Sequence, residues 1–231
     1  MNYIWEGLLQ AVGLLLSLDP ETCAAVWATV VTSTLAICAS VLLGAPLGFC
    51  LGYCRFPGRK QVRLLMDTLL SFPTVVIGLL VYTLLSRRGP LGDLGLLYTL
   101  PAVAIGQTIL GLPVVVTLVA TAVETADRGL HITLRTLGAT SGQALVATLW
   151  ETRFSLALAA AAAYGRIVSE VGVAMIVGGN IKWHTRTITT AIALETGKGQ
   201  FATGIALGVV LMLVAFGVNL LVASLRRRSG P

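Results

Sequence analysis

Five apolar stretches, roughly residues 24–53, 64–85, 101–123, 154–178 and 202–224, dominate this 231-residue chain. Each is long enough to cross the hydrocarbon of a bilayer, which takes about 20 apolar residues in a helix. Few ionisable groups interrupt them, and most of those lie near the ends. Lipid offers the backbone no hydrogen bonds, so such runs are expected as helices rather than open strands. Only 11% of the residues are charged, against about 25% in a soluble domain. No hydrophilic stretch is long enough to form a separate soluble domain. The fold class expected is therefore all-α integral membrane: about five transmembrane helices in one domain, 1–231, plus an N-terminal helix.

That first helix, within residues 1–22, carries Ile4, Leu8, Leu9, Val12, Leu15 and Leu16 at helical spacing and ends at Asp19-Pro20. It is short for a span. No Lys or Arg precedes Arg55, which argues against a secretory leader with its basic start. An interfacial helix anchored by Trp5 fits the pattern, with a sixth, short span as the alternative. Ten basic residues (Arg55, Arg59, Lys60, Arg63, Arg128, Arg135, Arg153 and Arg226–Arg228) fall in one set of loops, and five (Arg87, Arg88, Lys182, Arg186, Lys198) in the other. The positive-inside rule puts the larger set in the cytoplasm, the N-terminus outside and the C-terminus inside. The net charge of +6 follows from this topology, so no nucleic-acid partner is expected.

Cys23, Cys38, Cys50 and Cys54 lie in or beside the first run without CxxC spacing or histidine partners. Buried, inert thiols are expected there, and no metal site or disulfide framework. The spans are rich in helix-disturbing residues: Gly44-Ala45-Pro46-Leu47-Gly48, Ser71-Phe72-Pro73, and Gly106-Gln107 followed by Gly111-Leu112-Pro113. Small residues allow close packing in membranes, and proline removes a helical hydrogen bond. Pro46, Pro73 and Pro113 are candidate bend points, and with Gln107 candidate elements of a pathway or gate. Arg166 and Glu170 stand four apart in the fourth run, which on one helix would place them on a shared face. Either a polar element beside a path or a structural pair is expected, because isolated charges in a bilayer are costly.

Between the third and fourth runs, residues 124–153 form a long connection with apolar positions suited to two short helices and Gly138 between them. On the other side, Gly178 to Gln200 holds Asn180, Lys182, His184, Thr185, Arg186, Thr187, Thr189 and Thr190. Hydroxyls and a guanidinium are suitable donors to an oxyanion, so Thr185 and Arg186 are candidate outer anion contacts, with ordinary loop contacts as the alternative. Nothing in the sequence resembles a phosphate-binding loop: around Gly197-Lys198 both ends of the motif are missing. His131 and His184 fall in different loops, and no catalytic constellation forms.

The segment LRTLGATSGQALVATLW is similar to the cytoplasmic coupling loop of ABC-importer permeases. Gly138 matches the glycine of that motif. Ile132-Thr133-Leu134 replaces its Glu-Ala-Ala triplet, and Thr148-Leu149-Trp150-Glu151 its Ile-x-Leu-Pro ending. GRIVSEVG, GGNI and TRTITTAIALETGKG, with PLGFCLGYCRFPGR and LLSFPTVVIGLL, resemble the tungstate-type permeases, relatives of the molybdate permeases. The resemblance covers residues 1 to about 225. It implies a type I permease in a bacterial or archaeal cytoplasmic (inner) membrane, without catalytic residues or a bound cofactor. It also implies a homodimer, two cytoplasmic ATP-binding subunits that use the ATP, and a periplasmic or extracellular oxyanion-binding protein. Leu134, Leu137, Gly138, Ala139 and Leu145 would then carry the ATPase contact. A permease for molybdate, sulfate or another anion, a secondary transporter or channel working without an ATPase, and a purely structural membrane protein are the rival readings.

Overall fold

The computed structural model describes residues 3–125, 136 and 138–228. The described residues form helices α1 (Tyr3–Ser17), α2 (Pro20–Tyr53), α3 (Arg59–Leu70), α4 (Thr74–Leu85), α5 (Leu100–Thr125), α6 (Ser141–Glu151), α7 (Arg153–Val168), α8 (Gly172–Gly178), α9 (Ile188–Gly197) and α10 (Phe201–Arg228). A single 3-10 turn, Gly92–Leu94, precedes α5. No strand occurs among the described residues.

Three helices are long and apolar enough to cross a membrane alone: α2, α5 and the Phe201–Leu220 part of α10. They match the expected runs at 24–53, 101–123 and 202–224. Pro46 lies inside α2 and Pro113 inside α5, and neither interrupts its helix. The run at 64–85 is not one straight span. It breaks at Ser71–Pro73, where α3 and α4 meet at 102°. Pro73 is the cap of α4, so its missing N–H costs no helical bond. The expected span at 154–178 is also two pieces, since α7 stops at Val168 and α8 begins at Gly172. Instead α6 leads into α7 at 52°, so counting each bent pair as one span gives up to five.

Capping chemistry fixes the starts. The Asp19 carboxylate accepts from Thr22 N–H at 2.8 Å, with Pro20 at the first helical position of α2. Thr140 with Gln143 and Thr187 with Thr190 form capping boxes for α6 and α9.

The central contact is α2 against α5. A Cβ at Gly48 would sit 2.7 Å from the Val116 carbonyl oxygen, and one at Gly52 2.7 Å from that of Ala120. Only glycine lets the two backbones approach so closely. Further along α5, Val173 packs against Gly106, and Gly111 sits between Ile167 of α7 and Ser40 of α2.

Helix α1 packs beside α10, with Gly7 against Ile205 and the Tyr3 and Phe201 rings 5.9 Å apart. Its buried residues are Gly7 and Ala11, while Ile4, Leu8, Leu9, Val12 and Leu16 are exposed. Small residues thus face protein and large apolar ones face outward, as lipid-facing helices require. At 15 residues the helix rises roughly 22 Å, short of the roughly 30 Å hydrocarbon core. The cysteines depart from expectation: all four are free and exposed. In a bilayer the outward face is as apolar as the core, so a thiol has no need of burial.

Gly48→Leu should push α2 from α5 and destabilise the protein by about 3 kcal/mol through overpacking. Gly13→Ala, whose Cβ meets nothing within 4 Å, should be neutral or stabilising by about 0.5–1 kcal/mol. Thermal unfolding of the purified protein in detergent compares the two.

Candidate functional site

The two helix breaks face each other. Helix α7 ends as Ser169 turns its hydroxyl back to the Gly165 and Arg166 carbonyls, at 2.9 and 3.2 Å. Such side-chain donors compete with the helical ladder at a helix end. The Ile167 carbonyl is then taken by Glu170 N–H at 3.2 Å and by the Gln107 side-chain nitrogen at 3.5 Å. Glu170, 5% exposed, follows the break and accepts from Val173 N–H at 3.1 Å in the first turn of α8. Its carbonyl accepts from the Thr189 hydroxyl of α9 at 2.8 Å. A Cβ at Gly172 would fall 3.0 Å from Thr74 Oγ1 and 3.3 Å from Glu170 Oε1, so Gly172 is flanked by the residue after the Pro73 turn and by the Glu170 carboxylate. Ile77 and Val81 of α4 pack with Val173 and Val177 of α8 behind this junction.

Of the candidate pathway residues, Gln107 and Glu170 thus meet at the Ile167 carbonyl, with the Pro73 turn nearby through Thr74 and Gly172. Pro46 and Pro113 lie inside α2 and α5, and Arg166 contributes its backbone carbonyl to the break. The expected pairing of Arg166 with Glu170 on one helix face is corrected: the helix ends between them. Arg166 is exposed in the last turn of α7, Glu170 is buried beyond it, and neither joins any ion pair among the described residues. Gln107 is 3% exposed, and its Oε1 has no hydrogen-bond partner among the described residues.

At one end of the bundle, Glu21 at the start of α2 holds Lys182 and Arg186. The Arg186 Nε also donates to Asn180 Oδ1 at 3.2 Å. Thr185, 1% exposed, donates to the Gly178 carbonyl and accepts Ile181 N–H at 3.1 Å. Both candidate anion contacts are thus occupied, Thr185 within the loop and Arg186 in tying the loop to α2. Ile188 N–H, a little further on, donates to the Thr29 hydroxyl at 2.9 Å.

At the other end, Arg59 donates to the Leu51 and Gly52 carbonyls at 2.7 and 3.0 Å and pairs with Glu124 at 2.7 Å. It satisfies carbonyls left over at the end of α2 and ties α2 and α3 to the residue where the 124–153 segment begins. Within that segment, Leu134 and Leu137 lie outside the described residues. Gly138 has φ +74°, with open space where a Cβ would stand. Ala139 is half-buried, and Leu145 belongs to α6. Sequence reasoning missed Thr74, the contact of Thr189 with Glu170 (Thr189 stood only among the loop hydroxyls), and the pairing of Arg59 with Glu124. Only the charge of the last two marked them, and their partners are distant in the chain.

Residues 44–230 match the family described as binding-protein-dependent transport system inner membrane component. The chain belongs to that family. This permease component is accordingly a multi-pass inner-membrane protein of a transport family, not a catalytic one. It is 46% identical over 227 residues to the tungstate uptake system permease protein TupB of Campylobacter jejuni, covering 98% of this chain and 95% of that one. A probable anion ABC transporter permease protein of Haloferax volcanii is 43% identical over 85% of this chain and 87% of its own. The tungstate uptake system permease protein TupB of Peptoclostridium acidaminophilum is 37% identical over 98% of this chain and 99% of its own.

Gln107→Leu should leave stability unchanged or raise it. It exchanges a weak bond worth about 1 kcal/mol for removal of a buried unpaired oxygen costing about 1–3 kcal/mol. A retained unfolding temperature with reduced transport would mark Gln107 as a pathway or gate residue, and unchanged transport would make it structural. Arg186→Ala should lower stability by about 1.5–3 kcal/mol, the worth of a charged hydrogen bond, measured the same way.

Proposed function

We propose that this chain is the membrane-spanning subunit of an ATP-driven tungstate importer. The observation that carries this reading is near-full-length similarity, 46% and 37%, to two permeases that bear the tungstate name. The working unit is a homodimer with two cytoplasmic ATP-binding subunits, fed by an external oxyanion-binding protein. ATP is bound and hydrolysed by those partners. The Arg59–Glu124 end, with Arg55, Lys60, Arg63 and Arg153, faces the cytoplasm, and the Glu21–Arg186 end faces outward. The N-terminus is then outside and the C-terminus inside.

The mechanism is alternating access. Closure of the ATP-binding subunits pushes on the segment around Gly138, including Leu134, Leu137, Ala139 and Leu145. Helix α6 passes the push to α7 through their 52° bend. Helix α7 ends at the junction of Gln107, Glu170 and the Pro73 turn, which acts as the gate. Thr185 and Arg186 meet the anion or its carrier only when the Glu21 contact opens. A wider anion range is the second reading, favoured by the anion-permease relative from Haloferax volcanii.

The test is co-purification with candidate ATPase subunits together with cellular tungstate accumulation measured by elemental mass spectrometry. Gly138→Val should reduce both, because a side chain in the left-handed region costs about 1–2 kcal/mol locally. The unfolding temperature of the membrane bundle should hold, since the new Cβ meets nothing within 4 Å. If wild-type protein retains no ATPase and still transports, the importer reading fails and a transporter acting alone replaces it.

A further inference from the structure

Near the Arg59–Glu124 end, α2, α5 and the start of α7 enclose a cavity of about 530 Å³. Its wall is almost wholly apolar. Pro46 and Cys50 come from α2, Cys54 from the cap that ends it, Ala122 from α5, and Leu149 and Arg153 from either side of the α6–α7 bend. From Pro46 to the cap at Cys54 the chain rises roughly 12 Å, close to the roughly 15 Å depth of one leaflet's hydrocarbon.

Arg153 is the one charged group on this wall among the described residues. Its guanidinium carbon lies 4.4 Å from the Trp150 ring and 4.3 Å from the Phe154 ring. It donates to the Trp150 carbonyl at 2.6 Å. No carboxylate pairs with it among the described residues. The two rings hold a full positive charge where α2 stops and α7 starts, at the mouth of an apolar slot. A guanidinium fork suits phosphate, and a slot of leaflet depth suits a hydrocarbon chain.

We propose that this cavity is a binding site for an anionic membrane phospholipid, with its phosphate on Arg153 and one acyl chain between α2 and α5. Lipid is the occupant the fold already has beside these helices. Because Leu149 and Arg153 flank the α6–α7 bend, an occupied site braces that bend. The lipid thereby couples to the segment around Gly138.

Cys50 and Cys54 are free and line the cavity, so they report its occupancy. The purified permease complex carrying Cys23→Ser and Cys38→Ser is placed in nanodiscs of phosphatidylcholine alone, or of phosphatidylcholine with phosphatidylglycerol. Modification by the neutral reagent N-ethylmaleimide is then timed by mass spectrometry. Phosphatidylglycerol should slow modification about tenfold, the protection given by a ligand about tenfold above its Kd. Arg153→Gln should abolish the difference between the two membranes, which separates binding from a general surface-charge effect. Ala122→Phe, which fills the slot, should slow modification in both. Equal wild-type rates in the two membranes would overturn the proposal. So would protection by tungstate in place of phosphatidylglycerol, which would make the cavity part of the path. Protection that depends on the two protomers being associated, whatever the lipid, would assign the face to a second copy instead.

Discussion

The structure depends on how closely α2 can lie against α5. Lipid tails are as apolar as leucine, so no hydrophobic force drives two membrane helices together; packing and hydrogen bonds must do it. Gly44, Gly48 and Gly52 recur every fourth residue on one face of α2. At each, an added Cβ would come within 3.0 Å of α5. With α5 fixed in this way, Gly106 receives Val173, and Gly111 admits Ile167 beside Ser40 of α2. Gln107, between those two glycines, reaches the carbonyl exposed where α7 ends. The polar junction can form only because the helices around it are this close.

The same physics sets what could be read in advance. The three uninterrupted spans were legible because length and hydropathy alone define them. The break at Pro73 was visible as a bend point because proline announces itself. The break at Ser169–Val171 contains no proline. It is set by donors distant in the chain, Gln107 sixty residues away and Thr189 nineteen away, and so the sequence read through it as one span with an Arg166–Glu170 pair. The clasp between Glu21 and Arg186, separated by 165 residues, was hidden for the same reason. The apolar stripe on α1 gave the helix but not its contact face. In a membrane the small residues Gly7 and Ala11, not the leucines, turn toward the protein, and Cys23, Cys38, Cys50 and Cys54 are exposed by the same inversion.

Buried hydroxyls inside the spans mostly satisfy themselves. Thr29 and Thr32 donate to the carbonyls of Ala25 and Ala28 at 2.8 Å, and Ser33 to Thr29 at 2.7 Å. Such bonds travel with their helix and oppose no relative motion. The bonds that join separate elements gather at three places: the junction, with Gln107 to Ile167 and Thr189 to Glu170; the outer end, with Ile188 to Thr29 and Glu21 to Lys182 and Arg186; and the Arg59–Glu124 end, where Arg59 and Arg63 tie α3 to α2 and α5.

That distribution favours movement at the junction over bending inside α2 or α5. Proline 46 and proline 113 leave their helices whole, and bending either helix would disturb its glycine-lined contact along its length. Shifting α4 with α8 keeps the apolar contact of Ile77 and Val81 with Val173 and Val177, moves both across Ala102 and Leu110 of α5, and exchanges the Thr189–Glu170 bond and the bond from Tyr98 N–H to the Val177 carbonyl. The Gln107 bond is long at 3.5 Å, and its second polar atom has no hydrogen-bond partner among the described residues. One arrangement of the junction therefore leaves hydrogen-bonding capacity unused, and an arrangement that used it would have a compensating gain. An alternating-access cycle requires two packed states of comparable free energy, and in the mechanism proposed above the junction is where the second would form.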